Sequence, residues 1–202
     1  MIEIAPTSEA DVVLAFLRAE IDYSSHRHQI HQLLQYFRAT RQELIDDADL
    51  SIDYQNAVRA VLLDCYRGYL KRDCFFIGFP TKVNWKRVEL ESIDFERLLY
   101  IANEPSWDSN SQKTRSPQLV ADRIARGELP DLAPKVTAIR EKLEHNETFP
   151  ELVAVEGEGN SLVLMEGAHR ATAYVSLKWK ENVPAIIGSS PFMHNWHWYA
   201  YR

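Results

Sequence analysis

The residues with the most evident chemistry lie in one short run at 166–170, EGAHR. The residues before it, 161–165, are mostly apolar and predict a buried strand, Gly167 interrupts that pattern, and the small residues 171–173 are compatible with a helix. A strand that passes directly into a helix leaves the first backbone N–H groups of the helix without intrahelical partners, and such groups bind anions, phosphate in particular. The sequence therefore predicts an anion site at this turn, bordered by Glu166, Gly167, Ala168, His169 and Arg170.

Two basic residues, His169 and Arg170, occupy the first turn of this predicted helix. A cation there lies at the positive end of the helix dipole, which costs roughly 0.3–1 kcal/mol. A bound anion would offset this cost, with Arg170 as a forked donor and His169 as a donor or proton carrier. In the alternative interpretation, Arg170 pairs with Glu166 or another carboxylate and His169 caps a carbonyl group. The spacing alone leaves both interpretations open.

Residues 166–173, followed by the apolar run 183–187, resemble the phosphate-binding motif of the ParB/sulfiredoxin-like superfamily. Members of that superfamily carry an acidic or small residue, a glycine, one variable residue and then a basic pair that opens a helix of small residues. The strand before the motif, the helix and the strand after it occur in the family's order. The resemblance covers residues 83–189, and only the motif is close in residue identity.

The branches of this superfamily differ in chemistry. Sulfiredoxins place a reactive cysteine where this chain has Ala168, so we do not expect sulfiredoxin activity. ParB proteins bind and hydrolyse cytidine triphosphate and continue into a helix-turn-helix region, a role that we do not expect because the chain continues only a short way past the core. The free-serine kinases, which pass a phosphoryl group from a nucleotide to a small hydroxyl amino acid, resemble the chain better in size and motif. They usually carry Asp where this chain has Glu166.

The motif and the resemblance together lead us to expect a nucleotide- or phosphate-binding enzyme that acts on a small molecule. Phosphoryl transfer with Mg²⁺ and a nucleoside di- or triphosphate is the expected reaction, since it needs mainly positioning and charge neutralisation. Glu166 is the expected catalytic base or Mg²⁺ ligand, and His169 is the second expected catalytic residue. The first alternative is a non-catalytic nucleotide-sensing or protein-interaction module that uses the same pocket. A nuclease is the third candidate.

Composition limits the class of protein. With 202 residues, 46% of them hydrophobic, the chain can bury one full core or one core with an appended lobe. The net charge is −6 and no basic run is visible, so we expect a small anionic ligand rather than nucleic acid. No apolar run approaches the ~20 residues of a membrane span, and no basic region followed by an apolar one opens the sequence, so we expect a cytoplasmic protein that does not enter a membrane. The oligomeric state cannot be read from the sequence.

The two cysteines, Cys65 and Cys74, are too few for a disulfide scaffold or a zinc cluster. Cys65 falls on an apolar helical stripe, and we expect both residues to be buried thiols. Three histidines, His26, His28 and His31, lie close together, but at this spacing they do not share one helix face, so we do not expect them to bind a metal.

The first 80 residues predict a helical lobe. A first helix begins after Ser8 and has an apolar stripe of Ala10, Val13, Leu14, Leu17 and Ile21. Ser24-Ser25 can cap a second helix, and a third extends over 53–69. Pro80 marks the expected boundary between this lobe, 1–80, and a second domain, 81–202, that carries the motif.

The second domain predicts strands near 85–90, 151–155, 162–165 and 183–187, of which the middle two form a hairpin that places the motif at its exit. Helices are predicted to begin at Ser92 or Asp94, at Ser116-Pro117 and near Pro134. We therefore predict an α+β fold in which a small mixed β-sheet is flanked by helices, with an N-terminal helical lobe. The pairing of the strands cannot be read from the sequence.

The segment 103–115 is the longest polar connection in the chain, and such connections are often functional. We expect it to border the same pocket as the motif, with Trp107 as an apolar wall and Arg115 as a cation for the substrate, and with Ser109 and Thr114 as small donors. In the alternative, Trp107 packs into the core and Arg115 lies on the surface.

The aromatic ending, 192–202, is expected to dock on the core, although its residues His194 and His197 could point into the site.

Overall fold

The computed structural model describes residues 1–23 and 26–201. Within these residues, one open sheet contains six strands: β1 (Ile2–Thr7), β2 (Asn84–Leu90), β3 (Leu98–Leu99), β4 (Leu152–Glu156), β5 (Leu162–Glu166) and β6 (Val183–Ser189). Their order across the sheet is β1-β2-β6-β4-β5-β3. The pairs β4 with β6 and β3 with β5 are parallel, and the other pairs are antiparallel. The predicted α+β class with a mixed sheet is confirmed, as are the four predicted strands, whereas β1 and β3 were not predicted.

Seven α-helices accompany this sheet in the described part of the chain: α1 (Glu9–Tyr23), α2 (Arg27–Tyr36), α3 (Asp53–Arg67), α4 (Pro105–Asn110), α5 (Pro117–Ala125), α6 (Ala133–Glu144) and α7 (Ala168–Ser176). The helices predicted after Ser8, from Asp53, at Ser116-Pro117 and near Pro134 are confirmed. The Ser116 hydroxyl accepts the Leu119 N–H at 3.3 Å, so Ser116 is the cap that its sequence position suggests. The predicted cap at Ser24-Ser25 lies outside the described residues.

The sheet lies between two helical layers because its central strands carry apolar side chains on both faces. On one face, Val153, Val155 and Met165 pack with the core residues of α1, α2 and α3. On the other face, Leu152, Ala154 and Leu164 pack with those of α5, α6 and α7. The division at residue 80 stays a prediction, but β1, from the first part, pairs with β2 from the second. No helix in the described ranges combines the length and the apolar character that a bilayer crossing requires.

The helix predicted at Ser92 and Asp94 forms only as a short 3₁₀ helix, Ser92–Arg97, and Leu98 then enters β3 opposite Leu162. The apolar spacing of this segment fits a helix or a strand, and the free edge of β5 supplies the hydrogen bonds that decide for a strand.

The segment 103–115 is not a continuous loop, because it contains α4. Glu104 accepts the Trp107 N–H at 2.7 Å, and Pro105 occupies the first turn, where its missing N–H has no cost. The helix shortens the irregular part of the segment and fixes the direction of Trp107.

The prediction that Cys65 and Cys74 are buried is wrong, since both thiols are exposed. The buried side chains of α3 are Val58, Arg59, Leu62 and Leu63, which places Cys65 at the margin of the buried face. Cys74 opens a 3₁₀ turn, Cys74–Phe76, with a φ of +47°.

The aromatic ending is docked, as Trp196 is completely buried and its indole N–H donates to the Phe75 carbonyl at 2.8 Å.

Candidate functional site

The turn from β5 to α7 opens into a cavity of about 590 Å³. Both helical layers contribute to its walls: Glu20 of α1 and Arg67 of α3 come from one layer, and Lys135 of α6 comes from the other. All five residues of the predicted turn line it, namely Glu166, Gly167, Ala168, His169 and Arg170. The residues that the sequence placed around an anion site therefore share one space large enough for a small organic ligand.

Gly167 holds the turn in a conformation that other residues rarely adopt. Its φ is +99°, in the left-handed region that glycine adopts without steric cost. A Cβ at this position would lie 2.3 Å from Leu152 Cδ2 and 3.1 Å from Arg170 Nη2. A side chain here would be both strained and obstructed, so the geometry of the site requires glycine.

The start of α7 borders the cavity through Gly167, Ala168 and His169, and no side chain among the described residues caps it. Its first turn is anchored from behind: Tyr100 and Thr172 share a buried hydrogen bond of 2.6 Å, and the Thr172 hydroxyl donates to the Ala168 carbonyl at 2.8 Å. Since the Thr172 hydrogen is used on Ala168, Tyr100 is the donor of the shared bond. The helix start is therefore fixed in position while its N–H groups stay available.

His169 is half-buried beside an aromatic pair. Its ring meets the Trp107 indole edge to face at 5.1 Å between centroids, and Trp107 stacks on Tyr100 at 4.3 Å. Burial, together with the charges of Lys135 and Arg170, lowers the pKa of His169 to about 4. His169 is therefore a neutral donor and acceptor at neutral pH, and the first turn of α7 carries one cation rather than the two that the sequence suggested.

Arg170 is only 6% exposed, and its guanidinium is used inside the protein. Nη1 donates to the carbonyls of Pro150 and Glu151, the latter at 3.3 Å. Nη2 lies 3.5 Å from Glu166 Oε1 and makes no hydrogen bond among the described residues. The alternative in which Arg170 pairs with Glu166 is thus the observed one, although the residue still borders the cavity.

Glu166 belongs to a chain of alternating charges. Its Oε2 lies 4.0 Å from Arg67 Nη2, and Arg67 in turn donates from Nε to Oε1 of the buried Glu20 at 2.9 Å. Burial and the negative charge of Glu20 raise the pKa of Glu166, against the opposing effect of Arg170 and Arg67. A carboxyl group in a cavity with a raised pKa has the properties of a general base or acid.

Sequence reasoning missed several charged residues of the cavity, among them Glu20, Arg67 and Lys135. The Lys135 ammonium makes no hydrogen bond and no ion pair with any residue that the structure describes. It also lines a second cavity of about 340 Å³, which shares Trp107, Lys135 and His169 with the first. No local signal could have identified these residues, because each lies on a helix far along the chain from the motif.

The segment 103–115 contributes less than expected. Trp107 lines the cavity, but Ser109, Thr114 and Arg115 are not among its lining residues. Arg115 is 8% exposed, and its Nε donates to the Tyr100 carbonyl at 2.6 Å, which turns its charge into the protein. Thr114 donates to the Ser111 carbonyl at 2.7 Å. The expectation that these three residues border the anion site is corrected accordingly, and His194 and His197 also lie outside the lining.

The expected Mg²⁺ would need oxygen ligands from side chains around Glu166. No group of three or more His, Cys, Asp or Glu side chains within 1–23 and 26–201 is arranged to hold a metal. Mg²⁺ can be held by one or two carboxylates with substrate phosphates, but the two oxygens of Glu166 each face a guanidinium, of Arg170 and of Arg67. These residues do not fit a Mg²⁺ site centred on Glu166.

Comparisons of the chain with models of protein families, with curated proteins and with solved structures found no match. The resemblance to the ParB/sulfiredoxin-like superfamily therefore rests on the residues 166–173 and 183–187 and on the order of the elements around them.

Proposed function

We propose that the chain binds a nucleotide or another small phosphorylated molecule in the larger cavity, with the phosphate at the start of α7. The observation that carries the proposal is the uncapped first turn of α7, which opens into the cavity at Gly167. Lys135 adds a cation without a carboxylate partner, and neutral His169 adds a hydrogen-bond donor or acceptor. We further propose that the sheet and motif belong to the ParB/sulfiredoxin-like superfamily.

The aromatic wall suits the flat part of such a ligand. Trp107 and Tyr100 are stacked, and both line the cavity next to His169. A nucleobase could pack against the indole while the phosphate lies at the helix start, since aromatic faces stack with any base. This arrangement supports a nucleotide more than a bare phosphate.

The reaction that we propose is phosphoryl transfer to a hydroxyl group of a small molecule. Glu166 would take the hydroxyl proton, the hydroxyl oxygen would form a bond to phosphorus, and the bond from phosphorus to the leaving phosphate oxygen would break. The α7 amides and Lys135 would stabilise the charge of the transferred group. The raised pKa of Glu166 supports its role as the base.

A thermal-shift panel of phosphate, AMP, ADP, ATP and their counterparts with other bases, each with and without Mg²⁺, tests the proposal. A ligand at about 100 times its Kd adds roughly 2.7 kcal/mol to the free energy of unfolding. Lys135→Ala should weaken the binding of the best ligand about tenfold, the scale of one charged hydrogen bond, with little change in the Tm of the free protein. Lys180→Ala, an exposed lysine outside the cavity, is the matched control. If no member of the panel raises the Tm, the proposal is wrong.

A nucleotide-sensing module is the second candidate, and the ion pairs of Glu166 favour it. Each oxygen of Glu166 already faces a guanidinium group, so neither is as free to take a proton from a substrate hydroxyl as an unpaired carboxylate would be. In that case the cavity binds nucleotide without consuming it. Product analysis after prolonged incubation with the best ligand and a set of small hydroxyl compounds separates a sensor from an enzyme.

A further inference from the structure

We propose that Arg67, which α3 brings from the opposite helical layer, is a second anion-binding residue of the cavity, and that the ligand therefore carries two anionic groups. The inference rests on the proposed function, because it assumes that the first anionic group is a phosphate at the start of α7. No local motif points to Arg67, and its role follows from geometry alone.

The guanidinium of Arg67 is fixed in orientation before any ligand arrives. Nε and Nη2 both donate to Oε1 of Glu20, a carboxylate with 1% exposure. The guanidinium carbon also lies 5.1 Å from the centroid of the Phe75 ring. Held by these contacts, Arg67 can bind an anion without losing the conformational freedom of a mobile side chain.

The Nη1 amino group of Arg67, with its two N–H bonds, takes no part in the ion pair with Glu20. Nη1 makes no hydrogen bond within the described residues, and Arg67 lines the cavity. Nε and Nη2 alone form the ion pair with Glu20, so this ion pair does not require Nη1. A donor that is fixed, charged and accessible from a cavity is suited to a carboxylate or phosphate oxygen.

Arg67 and Lys135 belong to different parts of the cavity lining. Lys135, His169 and Trp107 also line the second cavity, whereas Arg67 and Phe75 line only the first. Glu166 lies between Arg67 and Arg170, since one of its oxygens faces each of them. We infer that a ligand with one anionic group would meet only one of the two cations Arg67 and Lys135, whereas a ligand with two anionic groups could meet both.

The test uses pairs of probes that differ by one anionic group. Glycerol 3-phosphate and 3-phosphoglycerate differ by a carboxylate, and AMP and ADP differ by a phosphate. Isothermal titration of the full chain should show that the member with two anionic groups binds about tenfold more tightly in at least one pair. The pair that shows the difference identifies the second group as a carboxylate or a phosphate.

In Arg67→Gln the ratio of the two affinities within that pair, which we call the preference, should fall to about one. The affinities for glycerol 3-phosphate and AMP themselves should change less than about threefold. Because that variant leaves Glu20 buried without its partner, the double variant Glu20→Gln/Arg67→Gln, which removes both charges, is measured beside it. Arg67→Lys should restore part of the preference. Arg126→Gln, an exposed arginine outside the cavity, is the control.

The outcomes separate the two proposals. If glycerol 3-phosphate or AMP binds the wild type but the second anionic group adds nothing, or if the preference survives in both Gln variants, the assignment of Arg67 is wrong and the proposed function stands. If no probe binds the wild type, both proposals are wrong.

Discussion

Arg170, at the start of α7, and Arg67, at the end of α3, both face Glu166, but they differ in how much of each guanidinium is already bonded. Nη1 of Arg170 is held by two backbone carbonyls, and Nη2 is buried against Glu166. Arg67 is held through Nε and Nη2 by one carboxylate, which leaves Nη1 unused. Arg170, in the motif, therefore acts mainly to stabilise the turn. Arg67, outside the motif, has more donor groups available for a ligand.

This difference shows that position in a motif and burial do not by themselves identify a binding residue. A buried arginine whose N–H groups are bonded within the protein holds the site together. An arginine that is anchored on one side and open on the other can bind without reorganisation. Glu166 lies between the two, and burial and the negative charge of Glu20 raise its pKa.

The largest effect is expected from Gly167→Val, which removes the turn on which the position of Arg170 depends. The φ of +99° and the approach of the new Cβ to Leu152 should lower the free energy of unfolding by about 4 kcal/mol, and ligand binding should be lost with it. Urea unfolding measures the effect. Gly127→Ala, with a φ of +74° but no atom near its Cβ, is the control and should cost only about 1 kcal/mol. Equal losses in the two variants would contradict the role assigned to the turn.

Arg170→Gln and the double variant Glu20→Gln/Arg67→Gln compare the two arginines directly. Arg170→Gln leaves two carbonyls and Glu166 without their donor and should cost about 3 kcal/mol of stability. The double variant removes a charge together with its partner and should cost only about 1 kcal/mol, because an amide pair can replace a buried ion pair. Chemical denaturation of both variants checks the order. A double variant that is the less stable of the two would mean that Arg67 is primarily structural.

Much of the region around the motif could be predicted because its information is local. The strand residues, Gly167 and the helix start are consecutive, so the continuous apolar run of β5 and the break after it indicate the turn directly. The cap at Ser116 is equally local. The sequence also contains the local signals for α4: Glu104 is its N-cap residue and Pro105 lies in its first turn.

The remainder depends on tertiary contacts that a sequence pattern does not contain. β3 has only two residues and exists because Leu98 and Leu99 find the edge of β5. β1 includes Pro6, which favours an interpretation as the start of a helix, and it becomes a strand only by pairing with β2. Arg67 and Lys135 reach the cavity because their helices pack on opposite faces of the sheet. The absence of a cationic charge on His169 likewise follows from burial.

The smallest expected effect concerns His169, whose neutral form the folded protein favours. Its pKa falls from 6.5 to about 4 on folding, so between these values the unfolded chain binds more protons than the folded one. The corresponding stability is fully present above pH 6.5 and is lost as the pH falls toward 4, on the order of 2 kcal/mol after solvent screening. Glu166, with its raised pKa, changes stability in the opposite direction, and Lys135 and Arg170 are the cations whose charges disfavour the protonated imidazole. The difference between wild type and His169→Gln, measured by urea unfolding across this range, isolates the histidine. His145→Gln, at an exposed position outside the cavity, is the matched control. If His169→Gln retains the same pH dependence as the wild type, folding does not lower the pKa of His169.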